Sequence, residues 1–135
     1  MTVAVAKAIM ETDKRLGEKA RLSGDYRDLL AEQTVRYMQE IGRNYPGCGY
    51  EGLFSLWMFS DAPEPYKSFG NGAAKRVSPA GYAARTEREA KTLSGAVTSV
   101  THNHREGIRG AEAVAVAVFM ARMSYTKEEI AEKIH

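Results

Sequence analysis

The chain is poor in several residue types, and each shortage excludes something. Among its 135 residues Cys48 is the only cysteine, so no intramolecular disulfide forms and nothing calls for an oxidising compartment. A cytoplasmic setting is the simplest expectation. Aspartate occurs only at positions 13, 25, 28 and 61, and histidine only at 102, 104 and 135, which leaves little material for aspartate-rich or histidine-rich metal motifs. Neither sign of charge dominates, because 19 basic residues face 17 acidic ones along the whole length. That balance gives no electrostatic ground for a nucleic-acid or lipid-surface partner. Long hydrophobic runs are absent too. The apolar N-terminal stretch "MTVAVAKAIM" is broken by Lys7 and has no basic residue before it, so it reads as neither signal peptide nor membrane span.

A hydrophobic content of 44% fits one domain with a modest core. Val3, Val5, Ala6, Ile9 and Met10 have helical spacing and predict a buried helix ending near Gly17. A second helix runs from Asp25 to about Tyr45, with Asp25 and Asp28 at its favoured acidic end and Pro46 and Gly47 as its stop. "YEGLFSLWMF" reads as a third helix rich in aromatics, with Trp57 in the core. The prolines and glycines of "SDAPEPYKSFGNG" then impose a loop. Thr86 with Glu89, and Thr126 with Glu129, have capping-box spacing and predict two more helix starts. Between them, "EGIRGAEAVAVAVFMAR" suits a helix buried on most sides. The alternation from Ala113 to Val118 would also fit a strand, but alanine is a poor strand former and the flanks read helical. The fold expected is all-α, as a single unit over 1–135.

Chemistry concentrates in two places. "SFGNG", residues 68–72, offers backbone N–H groups ahead of a helix, a hydroxyl on Ser68, an amide on Asn71 and a ring on Phe69, with Lys75 and Arg76 close behind. Such a run is able to seat a phosphate; the plain structural alternative is a tight turn whose glycines take positive φ. "THNHREG", residues 101–107, sets His102 and His104 two apart, so both reach one site only from a loop. With His135 and Cys48 as the remaining soft partners, zinc is poorly supported and no metal ligand is assigned. The structural alternative has Thr101 or Asn103 capping a helix from Glu106. Cys48 has no activating base beside it in the sequence.

Taken together, "YPGCGYEGLFSLW", "PYKSFGNGAAKRVSPAGYAA" and "VTSVTHNHREGIRGAEAVAVAVFMAR" resemble the ADP-ribosylglycohydrolase family over nearly the entire chain. The resemblance implies an all-α domain, a magnesium cluster and an ADP-ribose site. It places Ser68, Phe69, Gly70, Asn71, Gly72 and His102 at that site, with the Gly-Asn-Gly run as diphosphate and ribose cradle. Lys75 stands where the family usually has Met, and Arg105 where it usually has Pro. The aspartate-rich runs that hold the family's metals have no counterpart here, so the chain is expected to be the middle portion of a family member, truncated at both ends.

The resemblance thus implies metal-assisted N- or O-glycosidic hydrolysis that releases ADP-ribose from a modified substrate, with missing ligands coming from another chain or a longer form. The alternative is a non-catalytic ADP-ribose or nucleotide-binding protein, or a helical interaction protein, derived from that family. Expected partners are ADP-ribose or an ADP-ribosylated protein, and a second or completing chain. Self-association is expected through the helix at residues 2–12 and the Ala/Val helix after Gly110, because both are apolar with little polar relief.

Overall fold

A computed structural model describes residues 1–50, 52–66 and 72–134. Among these residues the chain forms eight α-helices and no strand, in agreement with the all-α expectation. Ser68, Phe69, Gly70 and Asn71, four of the six predicted site residues, lie outside the described residues, as does His135.

The first helix, α1 (Thr2–Leu16), buries Ala4, Val5, Ala8, Ile9 and Thr12, a stripe at spacings of one, three and four. It stops at Gly17, whose φ of 84° suits glycine and whose N–H bonds the Asp13 carbonyl at 2.8 Å. A single 3-10 turn, Glu18–Ala20, leads to α2 (Gly24–Asn44). The α2 cap is Ser23, whose hydroxyl accepts from Tyr26 N–H at 3.2 Å, so Asp25 sits in the first turn without capping it. The two helices pack along each other and bury Val5, Tyr26, Leu30 and Met38 between them and their neighbours. Thr12 and Thr34 are fully buried in this interior and hand their hydroxyl protons to the carbonyls of Ala8 and Leu30, both at 2.7 Å.

The aromatic helix α3 (Gly52–Phe59) is shorter than "YEGLFSLWMF" suggests, since Tyr50 precedes it. Trp57 reaches the core as expected and donates its Nε1–H to the Val100 carbonyl at 3.0 Å. The segment after the glycine run forms two short helices, α4 (Gly72–Arg76) and α5 (Ser78–Ala83). The break between them follows from Pro79, which has no N–H to return to the Lys75 carbonyl. Next come α6 (Glu87–Thr98), α7 (Arg105–Arg122) and α8 (Lys127–Ile134). The long α7 is the hub: α4, α5, α6 and α8 all pack on it, and α2 meets α6.

The faces left uncovered differ from those expected. Along α7 every side chain from 111 to 120 is buried or half-buried, because α4, α5, α6 and α8 surround it. On α1 Val3, Met10 and, at the end of the helix, Leu16 stand out, at 69%, 61% and 41% exposure. An apolar stripe at successive helical turns lies in solvent on α3, where Leu53, Leu56 and Phe59 are exposed and Phe54, Trp57 and Met58 are buried. No helix among the described residues is long and apolar enough to cross a membrane.

Candidate functional site

Two loops are brought together by a backbone bond. Tyr66, within the α3–α4 connection, donates its N–H to the Thr101 carbonyl at 2.9 Å in the α6–α7 connection. The first residue of α4, Gly72, lies against the ring of His102 in the same α6–α7 connection. Between these loops and the start of α1 lies a cavity of about 330 Å3, near the lower end of the usual small-molecule range. Its polar wall is Gly72, Lys75, Arg76, His102, Thr2 and Tyr66. Its apolar wall is formed by Met1, Phe54 and Tyr50, beside Gly49.

Gly72 and His102, the two predicted site residues that the structure describes, both line this cavity. Gly72 is helical, and its φ is not positive; positive-φ glycines among the described residues are Gly17 and Gly49. The position of Gly72 is close to His102 without demanding glycine: a Cβ there would stand in ordinary contact, 3.8 Å from His102 Cε1 and 4.0 Å from Nε2. His102 is 3% exposed, and its Nδ1 lies 2.7 Å from the Thr101 hydroxyl. The tilted Tyr66 ring packs at a centroid distance of 6.2 Å on its other side. His104 diverges from it. The expectation that Thr101 or Asn103 caps the following helix is corrected: His104 is the N-cap of α7, and its Nδ1 accepts from Glu106 N–H at 3.2 Å. The two histidines therefore do not converge on one site.

The cations separate in the same way. Lys75 is exposed and stands at the cavity's edge, whereas Arg76 is 4% exposed and turned inward. Arg76 donates to the Thr101 hydroxyl at 2.6 Å and to the Val97 carbonyl at 3.2 Å. Its Nε is buried without an acceptor, and no carboxylate among the described residues pairs with it. Burial pushes this guanidinium down to about 10, with the Tyr66 phenol opposing the shift. Two cationic side chains and no acidic one thus line the cavity among the described residues, which suits an anionic ligand. Sequence reading treated Lys75 and Arg76 alike; only the packing of α4 on α7 distinguishes them. Tyr50 and Tyr66 carried no signal beyond standing at the loop ends, and Cys48 is exposed.

A divalent metal does not fit what is present. Among the described residues no group of three His, Cys, Asp or Glu side chains comes together that would hold one. Asp13 is committed elsewhere, receiving Arg21 through both oxygens and the Tyr26 hydroxyl. Asp25, Asp28 and Asp61 are exposed, and none of them lines the cavity.

An all-α domain with a small cationic cavity where Gly72, at the start of α4, meets a buried histidine is the class that fold and site define. The family model described as ADP-ribosylglycohydrolase matches residues 1–135, and the chain belongs to that family. Comparison with curated proteins and with solved structures found no match. Membership supports a glycohydrolase-like function at the level of the family, suggests ADP-ribose-modified substrates at that level, and implies a divalent metal.

Proposed function

We propose that the cavity binds the ADP-ribose part of a modified substrate, and that the chain serves N- or O-glycosidic release of that group when metal ligands are supplied from outside the described residues. The observation that carries this reading is the juxtaposition of Gly72, His102 and the inward Arg76 on a wall with no acidic side chain among the described residues. A diphosphate is the part of ADP-ribose that such a wall favours, since backbone N–H groups and a guanidinium both donate to phosphate oxygens. The residues described bind and orient. None of them forms a hard-cation site, and hydrolysis through an oxocarbenium-like centre needs an activated water that this wall does not generate. Magnesium as the metal, and a cytoplasmic location, remain part of the proposal.

Titration calorimetry of the full chain with ADP-ribose, with and without magnesium, tests it. Binding is expected in both conditions and is lost in Asn71→Ala and weakened in His102→Gln, with melting curves confirming that both variants fold. No binding to the folded wild type in either condition would refute the cradle and leave the non-catalytic helical interaction protein. Self-association belongs to the same proposal, now placed on the outward stripe of α3, which carries no charged residue. Light scattering is expected to show a species larger than one chain, reduced to monomer by Leu56→Glu.

A further inference from the structure

The buried chain of hydrogen bonds behind His102 has an internal logic of its own. Arg76, Thr101 and His102 are 4%, 0% and 3% exposed, and they are joined at 2.6 Å and 2.7 Å. An arginine only donates, so the Thr101 oxygen accepts the first bond. A threonine hydroxyl also carries one proton, and at a fully buried position that proton needs an acceptor. The acceptor within reach among the bonds of Thr101 is His102 Nδ1. The reverse arrangement, with Nδ1–H donating to the hydroxyl, strands the hydroxyl proton. A doubly protonated ring does the same and adds a second cation next to Arg76.

We propose that Thr101, its hydroxyl oriented by Arg76, is a positioning residue that holds His102 as the neutral tautomer with its proton on Nε2. The Cε1–Nε2 edge of that ring is the one facing Gly72. A ligand lying against the Gly72 backbone therefore meets an N–H donor, and the ligand group it selects is an acceptor oxygen, phosphoryl or ribosyl. This also explains an inward arginine that no carboxylate among the described residues pairs with: its charge polarises a hydroxyl. The tautomer stands without any ligand, whereas its effect on affinity rests on the ADP-ribose reading above.

The test uses the full chain labelled with 15N and a long-range 1H–15N correlation of the histidine rings, with His102 assigned by its disappearance in His102→Gln. Wild type is expected to show a protonated Nε2 and an unprotonated Nδ1. Thr101→Ser is expected to keep that pattern, and Thr101→Val to replace it with a mixture of tautomers. A protonated Nδ1 in wild type, or an unchanged pattern in folded Thr101→Val, overturns the proposal, and wild type alone decides should the valine variant not fold. In calorimetry, Thr101→Val is expected to weaken ADP-ribose binding about fivefold to tenfold, the effect of one disoriented hydrogen bond. Thr101→Ser restores it, and in a His102→Gln background Thr101→Val costs nothing more. An equal loss on both backgrounds means that Thr101 does not act through His102. Should wild type show the Nε2 tautomer yet bind no ADP-ribose, the ligand reading fails while the positioning role stands.

Discussion

At Gly81 the backbone of α5 lies so close to α7 that an added Cβ would overlap the Ala115 carbonyl oxygen and stand 2.8 Å from Val118 Cβ. Neither neighbour is a flexible side-chain end, so α5 must move away from the hub on which it packs. Gly81→Ala is expected to destabilise the chain by about 1–3 kcal/mol, the usual cost of overpacking a filled interior. Gly95 makes the opposite case inside α6, since nothing lies within 4 Å of where its Cβ would be. Gly95→Ala should stabilise by about 0.4–1 kcal/mol, through reduced freedom of the unfolded chain. Urea midpoints at constant slope measure both, and equal signs for the two variants would refute the packing argument.

Two helix starts written with the same signal are used differently, and the difference belongs to the elements. At α8 the capping box is complete: Glu129 N–H donates to the Thr126 hydroxyl at 3.1 Å, and Thr126 N–H to Glu129 Oε1 at 3.2 Å. At α6 only the first half forms. Thr86 accepts from Glu89 N–H at 3.1 Å, but the Glu89 carboxylate turns inward to Arg21 and Arg85. Each cap removed by Thr→Ala is expected to cost about 1 kcal/mol. Where the loss appears should differ. The last helix touches the rest through Ile130 and the Lys133–Glu87 pair, so Thr126→Ala should raise hydrogen exchange in α8 alone. Thr86→Ala should lower the global midpoint, because α6 buries Leu93 and Val97 in the main core. Local fraying at α6 instead would show that its start is not part of the cooperative unit.

For the molecule as a whole, what was legible in the sequence was local, and what was hidden was long-range. Caps, stops and helical stripes act within four residues, so the starts of α6 and α8, the Gly17 stop and the aromatic helix could be read directly. The His104 cap is as local as these and was missed because Thr101 and Asn103 are the commoner capping types. The meeting of Gly72 with His102 was given by the resemblance alone, and the inward turn of Arg76 depends on which loop lies beside which. No periodicity encodes that. The least legible feature is also the one that fastens the most elements together. Arg21, in the connector that reads as a charged surface stretch, is 4% exposed and donates to both oxygens of Asp13, to Glu89 at 3.0 Å and to the Ala83 carbonyl at 2.8 Å. It thereby ties α1 to the end of α5 and the start of α6, while Tyr26 joins α2 to the same Asp13 at 2.6 Å.

Such a network makes stability depend on acid, and the sign follows from Glu89. Burial alone would raise its carboxyl, but the hydrogen bonds from Arg21 and Arg85 outweigh that and hold it below the ordinary value of 4.5. A group with a lowered folded pKa contributes stability that is complete above its unfolded value and is lost as pH falls through the folded one. The unfolding free energy is therefore expected to fall on acidification below the ordinary value of 4.5, until the folded carboxyl has also been protonated. Glu89→Gln keeps the volume and removes the charge. It should cost about 2–3 kcal/mol at neutral pH, less than the full loss of a buried pair because Asp13 still holds Arg21. The same variant should flatten the acid limb, since a glutamine has no proton to take up. Urea unfolding of both proteins from about pH 6 to pH 3 decides it, and parallel curves would place the acid sensitivity on groups other than Glu89.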